Sequence, residues 1–203
     1  METVLPLNRS NARHLPEPCV DCVFWQHATK VSDVRAKQRW SDDTQAADGS
    51  WGRMLLEDER FRGLVQYGPS GRFVRAKALP AGPASADAGL ITCTFLAPDD
   101  APGSAERLVL EALADLKARG LPAAEAFALS YPDEVTISER FVGHHTLFDR
   151  AFLEGLGFAS SRNQGQVSLM RLDLSGIEPA AGRSSSLVRR LLPQALRPRP
   201  ATA

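Results

Sequence analysis

The most regular stretch of the chain is Ala105 to Arg119, where Leu108, Leu110, Ala112, Leu113 and Leu116 give a helix an apolar face and Gly120 stops it. Before it, Gly89 to Leu96 is a short, nearly continuous apolar run, the pattern of a buried strand. After it, Ala123 to Leu129 predicts a strand and Thr146 to Leu156 a helix, with Phe148, Phe152 and Leu156 recurring at fours. Val167 to Leu174 alternates as a final strand. Upstream, Gly52 to Leu56 and Gly63 to Tyr67 flank Glu57-Asp58-Glu59-Arg60. Their polar connector predicts a hairpin, although it lacks the Asn-Gly or Asp-Gly of a tight turn. Thr3 to Leu7 reads as a short edge strand and Asn8 to His14 as a polar turn or helix start. Val31 to about Ala47 reads as an exposed polar helix ended by Asp48-Gly49. Pro69 to Ala88 and Ala97 to Ser104 read as loops. A hairpin followed by strand–loop–helix–strand–helix–strand predicts an α/β (α+β) chain whose mixed sheet carries helices on its faces.

Composition narrows the partners. At 203 residues and 43% hydrophobic, the chain can bury one substantial core, assigned to residues 1–175. Lys+Arg and Asp+Glu each number 24, which argues against bulk electrostatic binding to nucleic acid or an anionic membrane. No run approaches the ~20 apolar residues of a membrane span, and the N-terminus lacks an apolar signal core. Three cysteines do not form a secreted disulfide framework. The expected setting is the reducing cytoplasm. Residues 176–203 differ in kind: Arg183, Arg189, Arg190, Arg197 and Arg199 occur with no acid after Glu178. This tail reads as a short amphipathic helix with a Pro-rich end, or as a contact surface for a homodimer or protein partner.

Two blocks of residues carry a resemblance. Asp100-Ala-Pro-Gly103-Ser-Ala105 stands between a strand and a helix, and Ala151-Phe-Leu-Glu-Gly-Leu-Gly-Phe158 closes the second helix. Together, from Leu90 to Phe158, they resemble the acetyl-CoA half of the GNAT N-acetyltransferases, with a loop written Arg/Gln-x-x-Gly-x-Gly/Ala and a helix written Phe-Tyr-Glu-x-Leu-Gly-Phe. The opening Cys19-x-x-Cys22-x-x-Trp25, Arg62 to Pro69 and Leu169 to Leu174 are similar to an actinobacterial set of that family, extending the likeness over residues 12–175. Asp100 and Leu153 depart from the pattern, where it has a basic or amide residue and a tyrosine. The resemblance implies a mostly antiparallel central sheet, acetyl-CoA as co-substrate with no metal, and a primary amine as acceptor. It implies a cofactor site at Phe95, Leu96, Gly103, Ser104, Ala105, Arg107 and Phe152, because the first amides of a helix lack internal partners and suit a pyrophosphate.

Amine acylation needs an unprotonated nitrogen, and a free alkylamine with pKa ~10.4 is mostly protonated at neutral pH. Glu125 is the first candidate base, with His144 and His145 next. Tyr131, or Ser130, is the candidate proton donor in place of the missing tyrosine. The acceptor is expected near Tyr67, the Arg72–Ala78 loop, Thr92 and Thr94. Independently, His14-x₄-Cys19-x₂-Cys22-x₄-His27 offers two thiolates and two imidazoles, a ligand set that suits tetrahedral zinc. The alternative is a pair of structural thiols packed against Phe24 and Trp25. Cys93, inside the central strand, reads as core. Three functions follow: an acyl-CoA-dependent N-acetyltransferase, a GNAT-fold binding or regulatory protein without turnover, and a zinc-bearing interaction module.

Overall fold

Strand β1 (Glu2–Pro6) forms one edge of the sheet and pairs antiparallel with β2 (Gly52–Glu57), as Glu2↔Glu57 through Pro6↔Arg53. Between them the chain passes a short helix α1 (Glu17–Val20) and the fifteen-residue α2 (Val34–Asp48). Asp33 caps α2 by accepting from the Ala36 amide, and Gly49 ends it at φ 77°, a left-handed conformation that glycine adopts without steric cost. β2 turns into β3 (Arg60–Pro69) through Asp58 and Glu59, both left-handed at φ 48° and 66°. The tight turn therefore forms without the expected glycine.

The structure, a computed structural model, describes residues 1–98, 102–131 and 146–176. Asp100, His144, His145 and the basic tail from residue 177 onward lie outside the described residues. β4 (Ala88–Leu96) follows β3 antiparallel, and α3 (Pro102–Ala118) crosses back so that β5 (Ala123–Leu129) lies parallel to β4. β6 (Phe148–Asp149) pairs with β5, α4 (Arg150–Gly155) follows, and β7 (Ala159–Gln164) and β8 (Val167–Asp173) complete the order β1-β2-β3-β4-β5-β8-β7. The fold is a mixed α/β sheet, mostly antiparallel, flanked by helices.

Two apolar layers cover the sheet. On one face Leu108, Leu113 and Leu116 of α3 pack against Val65, Tyr67, Ile91, Ala124, Ala126 and Ala128. Alanines on β5 and Gly89 on β4 admit the helix; a Cβ at Gly89 would lie 2.5 Å from Leu116 Cδ2. On the other face Trp25, Phe73, Leu90, Phe127 and Leu169 form a second cluster. The segment expected as a long loop folds into two 3₁₀ turns, Ser70–Arg72 and Val74–Lys77, and buries Phe73, Ala76 and Ala81 there.

Sequence expectation and structure differ at the second helix. Instead of starting at Thr146, α4 starts at Arg150, because the Asp149 carboxylate accepts from the Phe152 amide at 2.8 Å and fixes the cap there. Phe148 and Asp149 are thereby left extended, and they pair with β5. β7 was not expected: Ala-Ser-Ser-Arg-Asn-Gln is polar, exposed and has no apolar alternation, being an edge strand whose ladder is with β8. Among the described residues no helix is long and apolar enough to cross a membrane.

Candidate active site

The sheet divides at its centre. The β4–β5 ladder runs from Ala88↔Ala123 to Ile91↔Ala126 and ends there, although both strands continue. The cause lies on β4's other edge. Tyr67 opposes Ile91 and Gln66 opposes Cys93, so Thr92 is an extra residue, a β-bulge that bends its strand. Thr92 Oγ1 donates to the Gln66 carbonyl at 3.0 Å and accepts from Gln66 Nε2 at 3.0 Å, which locks the bulge. Beyond it, Cys93 to Leu96 follow β3 and leave β5. The β5 edge that β4 abandons is taken by β6, as Ala128↔Phe148 and Leu129↔Asp149, while β8 holds the opposite edge of the same residues. The opening thus lies between β4 and the β5–β6 pair.

The expected cofactor residues border this opening or the helix above it. Phe95 and Leu96 are the last residues of β4. Phe95 packs its ring 6.0 Å from Phe61, and Leu96 packs on the α3 side of the sheet. Gly103, Ser104 and Ala105 form the first turn of α3, where main-chain amides lack helical partners. Ala105 is core, whereas a side chain at Gly103 would meet nothing within 4 Å. Arg107 turns to β1 and pairs with Glu2 at 2.5 Å. Phe152 stacks on Phe148 at 6.3 Å with planes 6° apart. Leu153, at the position where the motif has tyrosine, is fully buried in the α3-side core.

The titratable candidates fall elsewhere. Glu125 is only 1% exposed, in the closed part of the ladder opposite Leu90. Its carboxylate accepts from the Ser85 amide and hydroxyl at 2.7 Å each and from Arg171 at 3.0 Å. Tyr131 is half-buried two residues past the end of β5. Tyr67 faces α3 rather than an acceptor space: its hydroxyl donates to Asp115 at 2.7 Å, and burial pushes the phenol far above its ordinary pKa. Thr94, opposite Val65, shares that face.

The zinc candidates are not brought together as a set. His27 Nδ1 accepts from the Thr29 and Lys30 amides at 3.2 and 3.1 Å, capping a turn. Cys19 and Cys22 instead line an interior cavity with Cys93 and Lys37. Among the described residues no three His, Cys, Asp or Glu side chains gather as a metal site.

No family model matches the sequence, and no curated protein matches it by sequence. Solved structures match it by fold. An N-acetyltransferase from Staphylococcus aureus Mu50 aligns with 86% of this chain and 99% of its own at TM-score 0.54 and 13% identity. The GNAT domain of PAT from S. lividans aligns over 84% and 89% of the two chains, at TM-score 0.51 and 17% identity. The PaiA N-acetyltransferase from Thermoplasma acidophilum, in complex with coenzyme A, covers 85% and 99% at TM-score 0.50 and 13% identity. This is the GNAT fold.

Within the GNAT fold, the Leu-Gly-Phe motif has a plain structural use. Gly157 sits at φ 90°, its amide donates to Glu154, and the Phe158 amide donates back to Leu153, so the motif ends α4 and turns the chain into β7. Sequence reading missed three features of the site. A single extra residue, Thr92, has no signature in hydrophobic periodicity. The two residues of β6 are too few to show a period. Lys37, however, left a trace: Lys37, Ser41 and Thr44 recur at helical spacing and form the buried face of α2.

Proposed function

We propose that the chain is an acyl-CoA-dependent N-acyltransferase that carries an acetyl group to a primary amine by direct transfer. The observation that carries this reading is the end of the β4–β5 ladder at Ile91↔Ala126, beside the Thr92 bulge and below the start of α3. Acetyl-CoA is supported as donor by the coenzyme A complex of the Thermoplasma neighbour, and it supplies an acyl group already activated as a thioester. In this reading the amides of Gly103, Ser104 and Ala105 hold the pyrophosphate. The main chain of Phe95 and Leu96 lines the pantetheine path, and Phe152 on Phe148 forms its far wall. Donors aimed at a developing oxyanion are worth ~3 kcal/mol each, and here they come from backbone, so altered side chains leave that contribution in place. Arg107 reaches the site only by exchanging Glu2 for phosphate. Tyr131 is the proton donor. Glu125, with three donors already on its carboxylate, serves by anchoring the loop through Ser85 rather than as base.

A second reading has its own support. Arg107 tied to Glu2, and a leucine rather than a tyrosine at position 153, favour a GNAT-fold protein that binds without turnover. Thermal unfolding with acetyl-CoA separates ligand binding from indifference. A ligand at a hundred times its Kd stabilises by about 2.7 kcal/mol, roughly 5–10 °C for a chain of this size. Release of CoA thiol with a panel of amines then separates turnover from binding. An unchanged melting temperature at millimolar acetyl-CoA overturns the transferase reading.

A further inference from the structure

Lys37 is the buried cation of α2. It is 7% exposed, its Nζ donates to Gln66 Oε1 at 3.1 Å, and it lies 5.2 Å from the centre of the Trp40 ring. Among the described residues no carboxylate is in ion-pair contact with it. Gln66 in turn donates to Thr92, so Lys37 stands two hydrogen bonds from the bulge at which the sheet divides. It lines a cavity of about 30 Å³ with Cys19, Cys22, Cys93 and Phe95, the last two being β4 residues just past the bulge. Lys37 also borders a larger hollow of about 330 Å³, beside exposed Gln38 and half-buried Asp42. One amine therefore lines both a cavity bordered by the central strand and a space large enough for an acyl group.

We infer that Lys37 is an acyl-acceptor site of this protein, acetylated by acetyl-CoA seated at the sheet opening. The inference rests on the proposed transferase reading. In the step, Nζ forms a bond to the thioester carbonyl carbon, the carbon–sulfur bond breaks, and the thiolate leaves and takes the proton that Nζ sheds. Nothing is oxidised or reduced.

Burial selects the amine over its thiol neighbours. Desolvation disfavours the charged forms of Lys37, Cys19 and Cys93. It lowers the pKa of Lys37, against the opposing pull of Cys93, Cys22, Cys19 and Asp21, whose carboxylate accepts from Ser32. It raises Cys19 and Cys93 to about 12. The neutral form is the nucleophile of an amine and the inert form of a thiol, so the same environment arms Lys37 and disarms Cys19 and Cys93.

The chain carries three further lysines as internal controls. Lys30 pairs with Asp33, Lys77 closes a surface turn, and Lys117 donates to the carbonyls of Leu174 and Ser175. The test is incubation of the full chain with isotope-labelled acetyl-CoA near pH 7, peptide mapping by mass spectrometry, and thermal unfolding of the same sample. Label at Lys37 should exceed that at each other lysine by about tenfold or more. From about pH 8 to 7 labelling of Lys37 should fall by less than the roughly tenfold expected of an amine with an ordinary lysine pKa. A chain stabilised by acetyl-CoA but unlabelled at Lys37, or labelled there no more than at Lys77, overturns this inference alone. A chain neither stabilised nor labelled overturns the transferase reading with it.

Discussion

Thr92 and Gln66 hold each other at the point where the sheet divides, the hydroxyl of one bound to both the carbonyl and the side-chain amide of the other. The pair turns an irregularity of one residue into an opening between strands, because β4 can leave β5 only if its extra residue stays fixed against β3. Thr92→Val keeps shape and β propensity but removes both bonds and leaves two buried Gln66 groups without a partner. Each such group costs about 1–3 kcal/mol. With two such groups, the variant is expected to lose about 2–6 kcal/mol in urea titrations. It should also respond less to acetyl-CoA than the parent, since the opening is then less defined.

Gly103 allows the ligand site to be tested without disturbing the fold. Its Cβ position is open, so Gly103→Glu meets no steric obstacle, and a carboxylate in the first turn of a helix is favourable by some 0.3–1 kcal/mol. The same carboxylate would repel a bound pyrophosphate. The expected result is an unchanged or slightly raised melting temperature without ligand, and loss of the acetyl-CoA-induced rise. A retained rise would place the ligand elsewhere.

Glu125 separates a structural carboxylate from a catalytic one. Removing one partner of a buried pair costs up to about 3–5 kcal/mol, and less here because Arg171 is about one-third exposed. Glu125→Ala is expected to lose about 2–4 kcal/mol in chemical denaturation and to loosen the loop held at Ser85. Its acetyl-CoA response at a temperature where it is folded should survive. Full stability with lost turnover would instead make Glu125 the base.

How much of this was legible in the sequence depends on length and period. β5 was read at its true bounds, and α3 differed by three residues at its start and one at its end, because seven and seventeen residues give a pattern room to repeat. β7, polar along its whole length, gave no such signal and is held by pairing with β8. The site was harder. The loop-to-helix junction that opens α3 could be read from Gly103 and Ala105, but the burial of Glu125 depends on Ser85 and Arg171, forty and forty-six positions away. Likewise Tyr67 was read toward an acceptor, when alternation along β3 sends it to α3, where its hydroxyl donates a hydrogen bond to Asp115. Long-range partners decide which face a polar residue serves, and spacing alone does not carry them.

The turn between β2 and β3 offers a stabilising change. Asp58 and Glu59 both occupy left-handed backbone that costs a side-chain-bearing residue about 1 kcal/mol, and the Met1 amino group pairs with Asp58. Glu59→Gly removes the strain at the second position and leaves that pair in place. It is expected to raise the melting temperature by roughly 2–4 °C, the equivalent of about 1 kcal/mol at this chain length. Glu59→Val, β-branched at the same φ, should lower it.

Lys37 makes stability depend on pH in a way that one variant isolates. Burial lowers its folded pKa below the ordinary 10.5, so between the two values the unfolded chain binds a proton that the folded chain does not. Stability contributed at this position therefore falls as pH drops through that window and recovers as pH rises to 10.5. Lys37→Met removes the titration. It also removes the hydrogen bond to Gln66, an offset with no slope of its own over this range. The stability difference between variant and parent, from urea titrations at several pH values, should favour methionine most near neutrality and move toward the parent as pH approaches 10.5. The thiols of Cys19 and Cys93, raised to about 12 against the pull of Lys37, add the opposite trend above pH 9, so the difference is read between neutrality and pH 9. A difference that does not vary with pH would mean that Lys37 keeps its ordinary pKa in the folded chain, and the amine would then have no more reason to react than Lys77 on the surface.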